Sequence, residues 1–291
     1  MPVHDELGIR MKEFYENIPK TKLMRRCPVC IRLDGKAFHT FTRGFKRPFD
    51  EILIKSMQDT MKYLCENIQG CVLGYAQSDE ITLILVDYKK LTSSAWFDYE
   101  VQKMCSIAAS MATMAFNKAF SKAYEEWASI HASDLDFSNP NCSVSEEIIK
   151  LCKSYRNAQE KGAMFDARCF NIPKEEVTNL IYWRQIDAAR NSVQMVGQAY
   201  FSHAELDHKN INMIQDMLFT QKGINWNDYP THQKRGSCCI KETYYPEPRE
   251  GFENCPVDSS TARTRWIIDM NIPMFKGEDR NYIDKLIFIG E

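Results

Sequence analysis

Several features are scarce or missing in this chain of 291 residues, and each absence narrows the field. No run of 18 or more apolar residues occurs, so there is no transmembrane helix signal. No apolar stretch after Met1 reads as a secretory leader. Positive charge is not in excess: 37 lysines and arginines face 39 aspartates and glutamates, for a net charge of -2. That excludes a globally basic nucleic-acid coat but leaves room for local patches. Glycine is sparse at 12 residues, and none builds Gly-x4-Gly-Lys-Ser/Thr or Gly-x-Gly-x2-Gly, so the P-loop and dinucleotide fingerprints are absent. Internal repeats and low-complexity tracts are missing too. What is present is 44% apolar and 26% charged residues, enough to exclude whole-chain disorder. The length fits two average domains or one large α/β domain with additions.

Cysteine is the abundant exception, with Cys27, Cys30, Cys65, Cys71, Cys105, Cys142, Cys152, Cys169, Cys238, Cys239 and Cys255. An odd count cannot pair fully within one chain, and a chain this long needs no disulfide scaffold. Together with the missing leader this predicts a reducing, cytoplasmic setting without a membrane. Cys27-Pro28-Val29-Cys30 has the spacing of half a zinc site, but no second Cys-x2-Cys or His-x3-His pair stands elsewhere. Zinc ligation, with Cys238, Cys239 or Cys255 recruited in space, stays open beside the reading of small buried thiols.

Hydrophobic periodicity gives an order of elements. Residues 1–26 hold a short amphipathic stretch followed by Lys20, Lys22, Arg25 and Arg26. Residues 27–34 alternate as a strand, with Val29, Ile31 and Leu33, and end at Asp34-Gly35. Asp50 is placed to N-cap a helix over about 50–67, whose period runs through Ile52, Met57, Met61 and Leu64. Strands at 71–76 and 81–86 flank a turn at Gln77-Ser78-Asp79, making a hairpin. A long helix fits residues 95–127, a loop 134–141 and a short helix 144–154. A strand fits 163–170, and Pro173 opens a helix to about residue 200. Beyond residue 205 turn formers dominate and less regular structure is expected. The order β-α-β-β-α-β predicts an α/β (α+β) fold of the ferredoxin-like split type.

In that topology the strands run in the order β4-β1-β3-β2, so the end of the first lies beside the start of the third. Asp34 and Asp79 are thereby predicted to face one another. Two carboxylates so close repel unless a proton or a cation relieves them. Oxygen donors without His or Cys favour Mg2+, and two such ions commonly act together on phosphates. Asp79 is taken as the ligand, and Glu80, pointing to the other face, as support for a neighbour. Gly35 leaves its carbonyl open to metal or triphosphate. Lys36, His39, Arg43, Lys46 and Arg47 follow at once as phosphate-binding candidates or as a solvated basic face. Asp-Gly and Ser-Asp-Glu are also common turns, so an ordinary structural role stays open here.

These residues resemble a known family. Arg32-Leu33-Asp34-Gly35 with Phe38-His39, and Gly74 through Glu80, are similar to the first two motifs of the tRNA(His) guanylyltransferase superfamily. Phe165-Asp166-Ala167-Arg168, Trp183-Arg184-Gln185 with Asp187, Asn225 through Pro230 and Lys234-Arg235-Gly236 resemble later ones. The resemblance spans about residues 5–240. It implies a polymerase-palm catalytic core that adds nucleotides in the 3′-to-5′ direction to the 5′ end of tRNA. The implied metal ligands are Asp34, the Gly35 carbonyl and Asp79, holding two Mg2+ ions, with Glu80 beside them in the catalytic group. Implied nucleotide contacts are Gly35, Lys36, Ala37, Phe38, His39, Arg47, Ser78 and Asn191. ATP, GTP and other NTPs, tRNA and a homotetramer are the implied partners. Three stretches follow: 1–140, the core with the metal motifs; 141–205, its completing strand and helix; and 206–291, a helical and irregular C-terminal extension for RNA and subunit contacts.

One departure bears on the reaction. Asp187-Ala188-Ala189-Arg190-Asn191-Ser192 stands where eukaryotic members carry His-x-Asn-Asn, and alanine replaces the histidine. The Arg-Asn-Ser form is like that of the bacterial and archaeal "like proteins", which implies template-dependent repair of 5′-truncated tRNA after activation by ATP. Addition of a single G to tRNA(His), a non-catalytic RNA-binding module and a palm-fold nucleotide cyclase are the alternatives. RNA contacts are expected at Lys20, Lys22, Arg25, Arg26, Arg190, Lys234 and Arg235, with Lys241, Arg263 and Arg265 as further basic residues. Trp226, Tyr229, Tyr244 and Tyr245 stand as rings for stacking or for packing.

Overall fold

The structure, a computed structural model, describes residues 5–131, 146–245 and 262–290. The expected loop at 134–141, Cys142 and Cys255 lie outside them. The first strand, β1 (Val29–Gly35), sends Val29, Ile31 and Leu33 to one face of a sheet and Cys30 to the other, as a two-residue period requires. After two short helices, α1 (Glu6–Met11) and α2 (Phe38–Phe41), the helix α3 (Glu51–Asn67) starts where the Asp50 carboxylate accepts the Leu53 N–H at 3.0 Å. Its buried stripe is Ile52, Met57, Met61 and Leu64. The hairpin β2 (Cys71–Gln77) and β3 (Glu80–Leu85) closes through Ser78 and Asp79 alone. The helices α4 (Val101–Ile130) and α5 (Glu146–Lys161), the strand β4 (Phe165–Asn171) and the helix α6 (Lys174–Tyr200) follow, giving a mixed α/β fold with a central sheet and flanking helices.

The sheet order is β4-β1-β3-β2 with two strands more, β5 (Ser237–Tyr244) and β6 (Arg263–Asp269), added beyond β2. Every pairing is antiparallel. The C-terminal part is therefore more regular than its turn-forming composition predicts. Backbone pairing along the free edge of β2 organises it, and that non-local effect leaves no local periodicity. The helix α8 (Ile211–Lys222), capped by Asn210, is also regular and stands in the chain between the short helices α7 (His203–Leu206) and α9 (Thr231–Arg235). A second difference concerns α4, which begins at Val101 and not near residue 95. Phe97, Asp98 and Tyr99 adopt left-handed backbone conformations, and the segment bonds to the N-terminal stretch, Leu23 N–H to Tyr99 C=O and Val101 N–H to Thr21 C=O.

The core has three parts. Against α3 and α4 one sheet face packs a cluster rich in aromatic rings, where Phe38 meets Phe41, Phe116 and Phe165 at centroid distances of 5.1 to 5.4 Å. Against α6 and the C-terminal helix α10 (Asn281–Ile287) the other face packs Cys30, Tyr75, Ile84, Val177 and Ile181. A satellite cluster joins Phe49 to Val193 and Val196 of α6 and to Ile214 and Leu218 of α8. The sulfurs fill these cores: Cys30, Cys65, Cys71, Cys238 and Cys239 are buried, and Cys27 donates to the Ile172 carbonyl. Burial pushes the Cys30 thiol up to about 12, so it stays a neutral filler at ordinary pH. Among the described residues no helix is long and apolar enough to cross a membrane.

Candidate active site at the carboxylate end of the sheet

The register of β1 fixes the site. Asp34 pairs across with Glu80 on β3 and with Asp166 on β4. Side chains directly opposite share a face, so three acids from three strands form one row. The row behind it is basic, Arg168 and Arg32 opposite Thr82. Asp79 precedes this row in the hairpin turn, and its carbonyl accepts the Gly35 N–H at 3.0 Å. Asp34, Gly35 and Asp79 are thus brought together as adjacency of the first and third strands predicts.

The three hairpin-end acids are held differently. Glu80 is 8% exposed and clamped bidentately by Arg184 of α6, Nε to Oε1 at 2.7 Å and Nη2 to Oε2 at 2.8 Å. Arg184 also bridges Asp187 one turn on, at 3.1 Å. Glu80 thus supports packing of α6 on the sheet. Burial pushes its carboxyl up, and the Arg184 guanidinium opposes that. Asp79 has no such cation. Burial pushes its carboxyl up, its backbone hydrogen bond opposes, and the charge of Asp34 pushes it up further. The Asp34 carboxylate has no hydrogen-bond or ion-pair partner among the described residues. Two neighbouring carboxylates beside a backbone carbonyl, with the charge of Asp34 disfavouring ionisation of Asp79, are an oxygen-only donor set with unmet negative charge, which fits a divalent cation. Among the described residues no group of three or more His, Cys, Asp or Glu side chains is placed to hold a metal ion, so the donor set here is two carboxylates and a backbone carbonyl.

The two loops that carry the site are strained at non-glycine residues. Ala37 (φ 54°) and Ser78 (φ 50°) both lie in the left-handed region, which costs about 1 kcal/mol or more each. Gly35 admits no side chain, because a Cβ would overlap the Phe38 ring beneath it. The Phe38 ring itself is turned into the aromatic core, while Lys36, Ala37 and His39 are exposed.

A cavity of about 530 Å³ opens beside the acids and is lined by His39, Arg43, Lys46, Arg47, Ser78 and Asp79. The loop supplying its cations is locked by Asp50, whose carboxylate accepts from Lys46 N–H and, at 2.6 Å, from the Tyr155 hydroxyl of α5. Asn191 on α6 meets Ser78 in a smaller adjoining cavity of about 70 Å³. Other expected contacts stand apart from the acids. Lys22 is paired with Asp98, and Arg25 with buried Asp87 at 2.6 Å and with Asp98, at the opposite end of β1; Lys20 bonds Asn17, and Arg26 gives its backbone N–H to Asp87. Lys234 donates to the Asn227 carbonyl and covers Trp226, whose indole N–H donates to Ser192. Arg235 donates to Ile272, Tyr229 packs on Phe49, and Arg190 is exposed on α6. Asp166 stands in one of the family-like motifs but carries no site role in the sequence, and Tyr155 is not marked there at all. The alternation of β4 beside β1 could have found the first; no local signal marks the second.

A row of acids beside a cation-lined pocket defines an enzyme of the nucleotide-transferring class. Comparison with known proteins agrees. The family model described as tRNAHis guanylyltransferase matches residues 8–173, and the chain belongs to that family. It is 30% identical to the uncharacterized protein R259 of Acanthamoeba polyphaga mimivirus over 82% of this chain and 78% of that one. It is 24% identical to the tRNA(His) guanylyltransferase of Saccharomyces cerevisiae over 76% of this chain and 85% of that one. A solved bacterial tRNA(His) guanylyltransferase-like protein in complex with ATP aligns with a TM-score of 0.74 and 37% identity, covering 98% of this chain and all of that one.

Proposed function

We propose that this enzyme adds a nucleotide to the 5′ end of tRNA, and that guanylate addition to tRNA(His) is its reaction. The juxtaposition of Asp34 and Asp79 beside the Arg43–Arg47 loop carries this reading. The curated guanylyltransferases that the chain resembles along three quarters of its length support it. In the chemistry proposed, the 3′ oxygen of the incoming nucleotide bonds to the activated 5′ phosphorus. The phosphoanhydride bond to that phosphorus breaks, its leaving phosphate departs with the electron pair, and the proton of the 3′ hydroxyl passes to solvent. Asp34, the Gly35 carbonyl and Asp79 would hold Mg2+, as two ions, which when bound neutralises phosphate charge and acidifies the attacking hydroxyl. The cations at 43–47 bind the triphosphate, and Ser78 and Asn191 orient the nucleotide from the far side of the pocket.

The polymerase-palm description of the core belongs to the same reading, as do a cytoplasmic setting and a homotetramer. Leu7, Phe14, Tyr15 and Ile18 near the N-terminus are all exposed, which supports burial against another copy. A second reading, template-dependent repair of 5′-truncated tRNA, is favoured by the alanine in place of histidine beside Asn191 and by the bacterial guanylyltransferase-like neighbour. The test offers a full-length tRNA(His) transcript and a tRNA lacking its first nucleotide, each with ATP, GTP and Mg2+. A single G on the full-length transcript is expected. Extension of the truncated tRNA alone favours repair, and extension of neither contradicts both.

A further inference from the structure

A second cavity, about 600 Å³, lies beyond the nucleotide pocket and shares Arg47 and Gln198 with it. The two cavities therefore adjoin at these side chains. Its wall is cationic and amide-rich: Arg47, Gln194, Gln198, His203, His208 and Lys209. The acid on it, Asp207, is engaged by the His208 ring at 3.5 Å and the His208 backbone N–H at 3.1 Å. Arg47 and Lys209 have no ion-pair partner among the described residues, in contrast with Lys22 and Arg25. No exposed Phe, Tyr or Trp ring lines the cavity, since Phe201 is buried and covered by Lys222 at 5.2 Å. Such a wall suits phosphodiester oxygens and ribose hydroxyls more than a base to be stacked.

One helix face leads into it. Arg190, Gln194 and Gln198 are four residues apart on α6, all exposed, and so line one side. We propose that the cleft between the end of α6, the short helix α7 (His203–Leu206) and α8 takes the sugar–phosphate backbone of the RNA substrate next to its 5′ end. Arg190, Gln194 and Lys209 are its contacts. This rests on the function proposed above, because only a polynucleotide needs to extend past the nucleotide pocket.

The test measures two affinities on the full chain: that of a 5′-monophosphorylated RNA hairpin, by fluorescence anisotropy across a salt series, and that of ATP, by calorimetry. The variant is the double Gln194→Ala, Lys209→Ala. Both residues are exposed and lie outside the nucleotide pocket, so the fold is kept. RNA binding should weaken on the order of tenfold, with a log–log salt slope shallower by about one, while ATP binding is unchanged. Equal weakening for ATP would make the cleft a nucleotide site and overturn the inference. Unchanged RNA binding would overturn it while leaving the functional reading intact. If the unaltered chain neither binds nor extends RNA, the functional reading fails first and the inference with it.

Discussion

The two ends of β1 carry charge in opposite ways. The strand is about 20 Å long at roughly 3.3 Å per residue. At its start, Arg25 and Lys22 meet Asp87 and Asp98, and each cation is matched within the chain. At its finish, Asp34 and Asp79 stand together with no cation between them, while Glu80 is matched by Arg184 and Asp166 by Arg168. Matched charge holds structure together. Unmatched charge of one sign in a cleft awaits a ligand of the other.

The largest effect that separates the two ends is on catalysis. Asp34→Ala or Asp79→Ala should reduce nucleotide addition by about 10³-fold or more, since several kcal/mol of electrostatic stabilisation disappear. Thermal stability should hold or rise, because a like-charge repulsion is relieved. Steady-state extension assays and a melting scan read both.

Next comes the matched acid at the same end. Arg184→Ala leaves Glu80 buried without its cation and should cost about 3–5 kcal/mol of folding free energy. The paired change Arg184→Met, Glu80→Gln should recover much of it. Denaturant unfolding measures this, and a loss of activity at full stability would place Arg184 in the chemistry instead.

A smaller effect appears with pH. Burial and Asp34 raise the Asp79 carboxyl above its unfolded value. The unfolded chain therefore releases that proton first as pH rises. The contribution of Asp79 to stability is present below the unfolded value and is lost as pH climbs through the raised one. Asp79→Asn should remove that acid-range loss, and a divalent ion should offset it in the unaltered chain. Unfolding curves between about pH 3 and 7 test the sign.

The smallest effect belongs to the start of β1. Lys22→Ala should change RNA affinity by less than about twofold, because its charge is already matched by Asp98. A tenfold loss would place RNA at that end of the strand.

Much of this was legible in the sequence. The two-residue period of β1, the Asp50 cap and the hairpin at Ser78-Asp79 are local signals, and the strand order they imply puts Asp34 beside Asp79. Less legible was what depends on distant partners. The strand β5 pairs onto β2 from more than 150 residues away, and β6 pairs onto β5. Asp166 joins the acid row only through register, and Tyr155 reaches Asp50 across 105 residues. The basic runs were visible, but not that Asp87 and Asp98 would match them, because a charge's partner is set by packing and not by spacing.

The most direct measurement is a Mg2+ titration of tRNA 5′-end extension with the unaltered chain and Asp79→Asn side by side. The expected result is strict Mg2+ dependence in the first and near-complete loss in the second at every concentration. Extension by Asp79→Asn at the unaltered rate, with the same Mg2+ dependence, would contradict the assignment of the carboxylate end of the sheet as the catalytic centre.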